Sequence, residues 1–204
     1  YSLHHQTRGN HPRRSPTSGG KHTLKIVMLL VIAILALIAF RPGFSFKSQK
    51  LTDYAGNTPP FDIRVALSGP LVSEGIIYGP IGRVTSRFVA EFTGEWEGTT
   101  GSLAEEFTYD TGNTQSRKWF LTMGENGHFT ATASDIIGEA VGQQMGNAVR
   151  MTYKIRLPEE AGSHVLDVTD WLYLMENGNI LNRSEMRKFG IKVAELIATM
   201  RPVK

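Results

Sequence analysis

The sequence contains no cysteine among its 204 residues. Disulfides, zinc–thiolate sites, iron–sulfur clusters, c-type haem attachment and a lipid-modified N-terminal cysteine are therefore excluded. Residues 1–25 contain no acidic side chain but three arginines and two lysines, so they contribute +5 to the net charge of +3 and the remaining residues carry −2. The basic pI of 9.2 thus reflects the N-terminal segment and does not indicate a nucleic-acid partner.

Signatures of common catalytic sites are also missing. The sequence has no phosphate-binding loop and no GxSxG elbow, and neither His128 nor His164 lies near a serine and aspartate pattern that would suggest a triad. The other four histidines lie in the N-terminal segment at irregular spacing, which favours a polar tail over a metal site: His4, His5, His11 and His22. We therefore predict no metal, no cofactor and no catalytic residue.

One long apolar run is present, from Ile26 to Phe40, with fifteen residues that lack a polar side chain. As a helix it would extend about 22 Å, and Leu24, Lys25 and residues 42–44 lengthen it toward the roughly 30 Å of a bilayer core. A cleaved signal peptide is the alternative, but residues 37–40 match a cleavage site poorly. We predict an uncleaved transmembrane helix over residues 24–44 that contacts the lipid bilayer.

The charges around this helix predict its orientation. Five lysines and arginines precede the apolar run Ile26–Phe40 and three follow it by residue 50, so the N-terminus is expected in the cytoplasm and the rest outside the bacterial inner membrane. Residues 1–23 form a basic cytoplasmic arm, in which Arg13 and Arg14 are candidate contacts to a partner. Because the sequence starts at Tyr1 and not at methionine, we expect the natural chain to begin upstream.

Beyond a linker at residues 45–60, short alternating runs separated by glycine turns predict a mainly β domain over residues 61–204, in the periplasm. The clearest alternation covers residues 148–157, where Val149, Met151, Tyr153, Ile155 and Leu157 share one face. Eight to ten such strands joined by short hairpins favour an antiparallel up-and-down barrel of the lipocalin or calycin type, and a sandwich is the alternative. A barrel of this size can hold one small apolar ligand.

Two hairpins allow a register to be predicted. A three-residue loop at residues 110–112 places Glu105 opposite Arg117, and Leu103 opposite Trp119. A two-residue loop at Asn177-Gly178 places Asp170 opposite Glu185, and Leu172 opposite Arg183. In both hairpins a carboxylate and an arginine interrupt an otherwise apolar face.

Charges on a core face are costly unless they are paired. One interpretation is an interior site in which Arg117 or Arg183 binds a ligand carboxylate or headgroup, with Glu105, Asp170 and Trp119 beside them. The other is a structural ion pair, and a register shift of one residue would move all these side chains outward. Trp171 and Tyr173 lie on the opposite face, where they contact solvent, a partner or the membrane surface, or pack beneath a loop.

Several motifs resemble a bacterial envelope family known as domain of unknown function 3833. They are the run from Phe92 to Asp110 with Arg117 and Trp119, Gly138–Ala140 with Gly146–Ala148, Asp170-Trp171 with Tyr173-Leu174, and Leu181–Ser184 with Lys188–Gly190. The resemblance covers about residues 62–200. It implies small exported proteins, often lipoproteins, with a calycin-like barrel and no assigned activity. This chain has no cysteine to acylate, so the helix would replace the lipid anchor.

Three functions agree with these features. The first is a non-catalytic accessory subunit of a larger inner-membrane complex, respiratory or photosynthetic, whose other subunits are its partners. The second is a carrier of a lipid or other apolar ligand, with Arg117 and Arg183 as headgroup anchors inside the barrel. The third is a lipid-modifying enzyme that uses Glu105, Asp170 or Glu185 as acid or base. We favour them in this order.

Overall fold

The computed structural model describes residues 19–40 and 45–203, which belong to two units divided between Gln49 and Lys50. In the first unit, helix α1 spans Gly19–Phe40, and a 3-10 turn spans Phe46–Ser48. Segment Gly20–Ile38 of α1 has a mean hydropathy of 2.2. By length and composition it is able to cross a membrane, and a signal sequence near the N-terminus would share these properties.

The second unit is a closed barrel in which ten antiparallel strands follow one another in sequence order and the last pairs with the first. The strands are β1 Gly69–Tyr78, β2 Val84–Glu97, β3 Thr100–Tyr109, β4 Thr114–Met123, β5 His128–Thr132, β6 Ala140–Met145, β7 Ala148–Arg156, β8 Val165–Leu174, β9 Ile180–Lys188 and β10 Ile191–Pro202. The predicted up-and-down barrel is therefore confirmed. Closure leaves neither β1 nor β10 as an exposed sheet edge.

Side-chain alternation divides each strand between the barrel interior and the outer surface. In β7, Val149, Met151, Tyr153 and Ile155 face the interior, as their spacing predicts, and Leu157 continues this face beyond the strand. Aromatic side chains of β2 and β3 pack edge to face inside, where Phe107 lies 5.2 Å from Phe88 and 5.6 Å from Phe92 between ring centroids. Burial of these apolar faces is the main source of stability.

One end of the barrel is closed by a short helix that the sequence pattern did not predict. Helix α2 spans Ile63–Ala66, and the side chain of Asp62 caps it by accepting a hydrogen bond from the Arg64 amide at 3.0 Å. Ile63 and Leu67 are buried and form the floor of the interior. A Cβ on Gly94 would lie 1.6 Å from the Leu67 carbonyl oxygen, so only glycine allows this close approach.

Residues 50–60, which we call the strap, cover the outer face at the closed end and include a 3-10 turn, Leu51–Tyr54. The Tyr54 ring packs 5.5 Å from both Trp171 and Tyr173 on β8. Gly146 follows β6 with a left-handed φ of +54°, and a Cβ there would lie 1.7 Å from the Tyr54 carbonyl oxygen. Much of the predicted linker is thus part of the barrel's packing.

The predicted register is correct for the first hairpin and wrong for the second. In β3 and β4, Glu105 pairs with Arg117 and Leu103 with Trp119. In β8 and β9, however, Asp170 pairs with Ser184 and Leu172 with Asn182. The reason is the loop, which has three residues, 176–178, rather than two. Within this loop, the backbone amide of Gly178 donates a hydrogen bond to the carbonyl oxygen of Met175 at 2.9 Å, and Gly178 has a left-handed φ of +81°.

This loop geometry leads to a test with proline. In a turn of this kind, the first loop residue tolerates proline and the second does not. We expect Glu176→Pro to lower the free energy of unfolding by no more than about 0.5 kcal/mol, or to raise it. Asn177→Pro should lower the free energy of unfolding by more than about 1 kcal/mol. Urea unfolding followed by tryptophan fluorescence measures both. Equal destabilisation by the two variants would contradict the three-residue loop, because Glu176 would then be a paired strand residue.

Candidate functional site

The barrel encloses a cavity of about 360 Å³ that extends from its closed end toward the opposite, mouth end. Apolar side chains form most of its wall. Ile63 and Leu67 lie at the floor, and Leu157 and Pro158 lie at the mouth, where the chain leaves β7. A group of polar side chains crosses this apolar wall.

Arg117 on β4 is the centre of that polar group. Its Nε and Nη2 donate to one oxygen of Asp135, Oδ2, at 2.9 and 2.7 Å. Its Nη1 lies 3.6 Å from Oε2 of Glu105, the neighbouring residue on β3. The guanidinium carbon lies 5.7 Å from the ring centroid of Trp119, which adds a cation–π contact. A cation that is nearly buried is therefore held by two carboxylates and an indole ring.

Asp170 on β8 lies beside this cluster. It is buried, and the hydroxyl groups of Tyr153 and Ser184 lie close enough to lower its pKa, although the Ser184 hydroxyl donates to Asn182 Oδ1 at 3.3 Å. Tyr153 packs edge to face against Trp119 with ring centroids 5.4 Å apart. The two predicted interior carboxylates, Glu105 and Asp170, thus belong to one continuous polar group.

Burial shifts the acidity of these groups. Burial raises the pKa of Glu105 to about 7, although Arg117 and a hydrogen bond from Trp119 act in the opposite direction. The pKa of Asp170 is also raised, again by burial, against the effect of the Ser184 and Tyr153 hydroxyl groups. Burial raises the pKa of Tyr153 well above its usual value, and the charge of Asp170 adds to this effect. Near neutral pH, Glu105 is therefore divided between its protonated and ionised forms.

Several buried oxygen atoms that line the cavity have no hydrogen-bond partner among the described residues. They are Oε2 of Glu105, Oδ1 of Asp135, Oδ1 of Asp170 and Oγ of Ser73. Glu105 and Asp170 are 7% and 8% exposed as residues. Buried polar atoms in native proteins are nearly always hydrogen-bonded, so these atoms need an explanation.

The interior residues predicted from the β3–β4 hairpin lie where expected, but those predicted from β9 do not. Glu105, Arg117, Trp119 and Asp170 line the cavity. Arg183 was predicted inside, yet its side chain is 44% exposed and its Nε donates to Glu195 at 2.7 Å on the outer surface. The one-residue register error accounts for this difference.

The same error affects Glu185, which was predicted to face Asp170. Glu185 pairs instead with Thr169 on β8, and its side chain forms an ion pair with Arg187 on the outer side of β9. Ser184 takes the interior position opposite Asp170.

Trp171, one of the residues predicted to contact a partner, is buried by other residues of the same chain. It is 1% exposed, because the strap covers it, and is unable to contact a partner in this structure. Tyr173 is half-buried beside it, with its ring stacked parallel to that of Trp171. Arg13 and Arg14 lie outside the described residues.

Sequence reasoning missed three members of the polar cluster. Asp135 lies in the β5–β6 connection and meets Arg117 only through the fold. Tyr153 was placed on the correct face but not linked to Asp170, and Ser184 was not considered, because the predicted register of β9 puts it on the outer face. In the part of the chain that the structure describes, no three histidine or acidic side chains are arranged to hold a metal ion.

Solved structures with a similar fold include small barrels of different origin. The S-type phycobiliprotein lyase CPES from Guillardia theta aligns with a TM-score of 0.51 and 7% identity over 70% of this chain and 91% of its own. Rv2717c from M. tuberculosis aligns with a TM-score of 0.52 and 13% identity over 72% and 99% of the two chains. At these identities the likeness concerns the fold alone. A search among curated proteins finds no match.

A family model matches residues 43–202. It extends the predicted region of about residues 62–200 toward the N-terminus, so that it includes the strap and α2 as well as all ten strands. The motifs on β2, β3, β4, β8 and β9 therefore indicated the correct family, and the chain belongs to the proteins of unknown function DUF3833.

Proposed function

We propose that the barrel binds one small, mostly apolar molecule in its interior, with a polar end at the Arg117 cluster. One observation carries this proposal. A cavity of about 360 Å³ is lined by three carboxyl groups, and each of them has one buried oxygen atom that no described residue hydrogen-bonds. Ligand pockets of proteins typically have volumes of about 300–1,000 Å³, apolar walls and a few polar groups. A core that served stability alone would pair or omit such groups.

The polar cluster around Arg117 is arranged so that it would fix the orientation of a bound ligand. Exposure of the side chains increases from Glu105 (10%) through Arg117 (14%) to Asp135 (22%). The cluster thus connects the deep interior with the more accessible Asp135. A ligand would place its apolar part against the aromatic and aliphatic wall and its polar part in this cluster.

We treat this binding as non-catalytic. Of the three acids considered for an enzyme, Glu185 does not line the cavity. Glu105 and Asp170 each have one buried oxygen atom that no described residue hydrogen-bonds, which suits them to bind the polar end of a ligand. This arrangement suffices to bind and orient a ligand. The likeness to a lyase extends to the fold alone and adds no activity.

Residues 24–44 would anchor the barrel to the inner membrane, with the barrel in the periplasm and the N-terminus in the cytoplasm. The length and hydropathy of α1 support this part of the proposal, and so does the excess of positive charge before it. The role as an accessory subunit of a membrane complex stays a prediction from the sequence. An interior ligand site is compatible with it.

Filling the cavity tests the proposal. Met151 lines the cavity, whereas Thr152, the next residue of β7, faces outward. We expect Met151→Trp to reduce co-purification of an interior small molecule at least about ten-fold, because the indole would occupy part of the cavity, and we expect Thr152→Trp to retain it.

The measurement uses the full chain, extracted from native membranes in polymer-bounded lipid particles. Mass spectrometry of the small molecules that co-purify with the wild type and with each variant gives the comparison. If wild type and Met151→Trp carried the same molecules in the same amounts, those molecules would come from the surrounding lipid and the interior site would be refuted.

A further inference from the structure

The charges that line the cavity are unequal in number. Arg117 is the one nearly buried cation among the described lining residues, and Arg156 is exposed at the mouth. Three carboxyl groups line the same cavity: Glu105, Asp135 and Asp170. Two guanidinium nitrogens of Arg117 are already engaged by Asp135, and the third faces Glu105. The cluster therefore has little remaining capacity to hold an anion.

Among the described residues that line the cavity, three of the four buried oxygen atoms without a hydrogen bond belong to carboxyl groups, and the fourth is the Ser73 hydroxyl. Within the described ranges, the buried carboxyl oxygens without a hydrogen bond are Oε2 of Glu105, Oδ1 of Asp135 and Oδ1 of Asp170, and each is an acceptor when its group is ionised. Glu105 and Asp170 are more than nine-tenths buried, so bulk water does not readily satisfy them. These carboxyl oxygens therefore lack hydrogen-bond donors, and Arg117 is the one nearly buried cation among the described lining residues that balances their charge.

We propose that the polar end of the interior ligand is a hydrogen-bond donor, an ammonium group above all, held by Glu105 and Asp170 with Asp135 toward the mouth. This inference rests on the proposed interior binding and specifies its ligand as an apolar amine. It reverses the expectation, drawn from the sequence, that Arg117 binds a ligand carboxylate. In this assignment Arg117 is a positioning residue that holds Asp135 and Glu105 in place.

The titratable groups around the site predict how binding depends on pH. Glu105, Asp135, Asp170, Arg117, Tyr153 and Tyr109 face the polar part of the cavity from β3, β4, β7, β8 and the β5–β6 connection. Tyr153 stays protonated, because its pKa is raised, and Arg117 stays charged. Glu105, with a pKa of about 7, is the group that changes charge near neutral pH. An ammonium binds its ionised form, so affinity should increase as the pH rises.

The test compares three probes that share one alkyl chain: octylamine, octanoic acid and octanol. Full-length protein in lipid nanodiscs is titrated with each, and native mass spectrometry counts the bound molecules. Met151→Trp serves as the reference for partition into lipid. We expect octylamine at pH 8 to bind wild type at least about ten-fold more tightly than octanoic acid, and its affinity to rise about ten-fold from pH 6 to pH 8.

The outcomes separate this inference from the proposed function. Tighter binding of octanoic acid or octanol than of octylamine, above the Met151→Trp reference, would overturn the amine assignment and retain the interior site. Binding of all three probes at the level of that reference would refute the interior site itself. Glu105→Gln removes the charge with little change in shape, and we expect it to abolish both the preference for octylamine and its rise with pH. An unchanged preference for octylamine in this variant would also overturn the assignment. The comparison of pH 6 with pH 8 uses wild type alone, so it tests the assignment even if a variant does not fold.

Discussion

Replacing Arg117 by methionine should lower the free energy of unfolding by about 3–5 kcal/mol at pH 8. The reason is that Arg117 is 14% exposed and lies against Asp135 and Glu105, with Asp170 in the same cluster. Methionine keeps much of the apolar stem but leaves these carboxylates without their cation. Removing one partner of a buried ion pair costs far more than removing one at the surface, because the remaining charge stays desolvated.

This loss should become smaller in acid. Burial raises the pKa of Glu105 from its usual 4.5 to about 7 even with Arg117 present, and the pKa of Asp170 is raised as well. A raised carboxyl pKa means that the folded state holds the proton more tightly than the unfolded state does. The buried carboxyl group therefore lowers the free energy of unfolding by an increasing amount as the pH rises from about 4.5 through 7. Without Arg117 both carboxyl groups would take up protons. At pH 5.5 we expect a loss of about 1–2 kcal/mol.

Arg183→Met is the matched control, since the sequence assigned Arg183 the same interior role. Its side chain is 44% exposed and pairs with Glu195 on the outer surface, so we expect a loss below about 1 kcal/mol at either pH. Urea unfolding of the full chain in detergent measures both variants, and all three tryptophans lie in the barrel unit and report on it. Equal losses for Arg117→Met and Arg183→Met would contradict the register of β9.

The two hairpins show how far sequence reasoning extends in this fold. The Asp110-Thr111-Gly112 loop was recognised at its correct length, and the Glu105–Arg117 pair followed directly. Asn177-Gly178 is compatible with both a two-residue and a three-residue loop, and alternation around it does not decide between them. The predicted register puts Leu181, two residues before Arg183, on the same inner face, but Leu181 is 39% exposed, and exposed leucines are ordinary. A single loop residue therefore moved Arg183 out of the site and Ser184 into it.

Other parts of the site were beyond a sequence argument because they depend on tertiary contacts. Asp135 belongs to a connection without alternation, and no local pattern links it to Arg117 on another strand. The strap looked like a linker because it has few apolar residues. Its contribution lies in one ring, Tyr54, and in the close approach of its backbone to Gly146. The barrel itself was predictable because alternation and glycine turns are local signals that repeat along the chain.

Trp171→Ala should lower the free energy of unfolding by about 3–5 kcal/mol, the usual cost of removing a large buried aromatic side chain. Trp171 is 1% exposed and packs against Tyr54 of the strap and Tyr173 of β8. The cavity left by the indole would remove much of the surface on which the strap rests. We therefore also expect faster hydrogen exchange in residues 50–60. Urea unfolding and hydrogen exchange of the full chain provide the two measurements.

Phe189→Ala is the control for this prediction, because Phe189 is 91% exposed and its removal should change stability by less than about 0.5 kcal/mol. The comparison separates two roles for Trp171. If it serves internal packing, Trp171→Ala loses stability and strap protection whether or not a partner is present. If it contacts a partner, as the sequence suggested, the variant would unfold like wild type and lose only co-purifying subunits. The second result would require the strap to leave β8 before the partner binds, since Tyr54 occupies that surface in the structure.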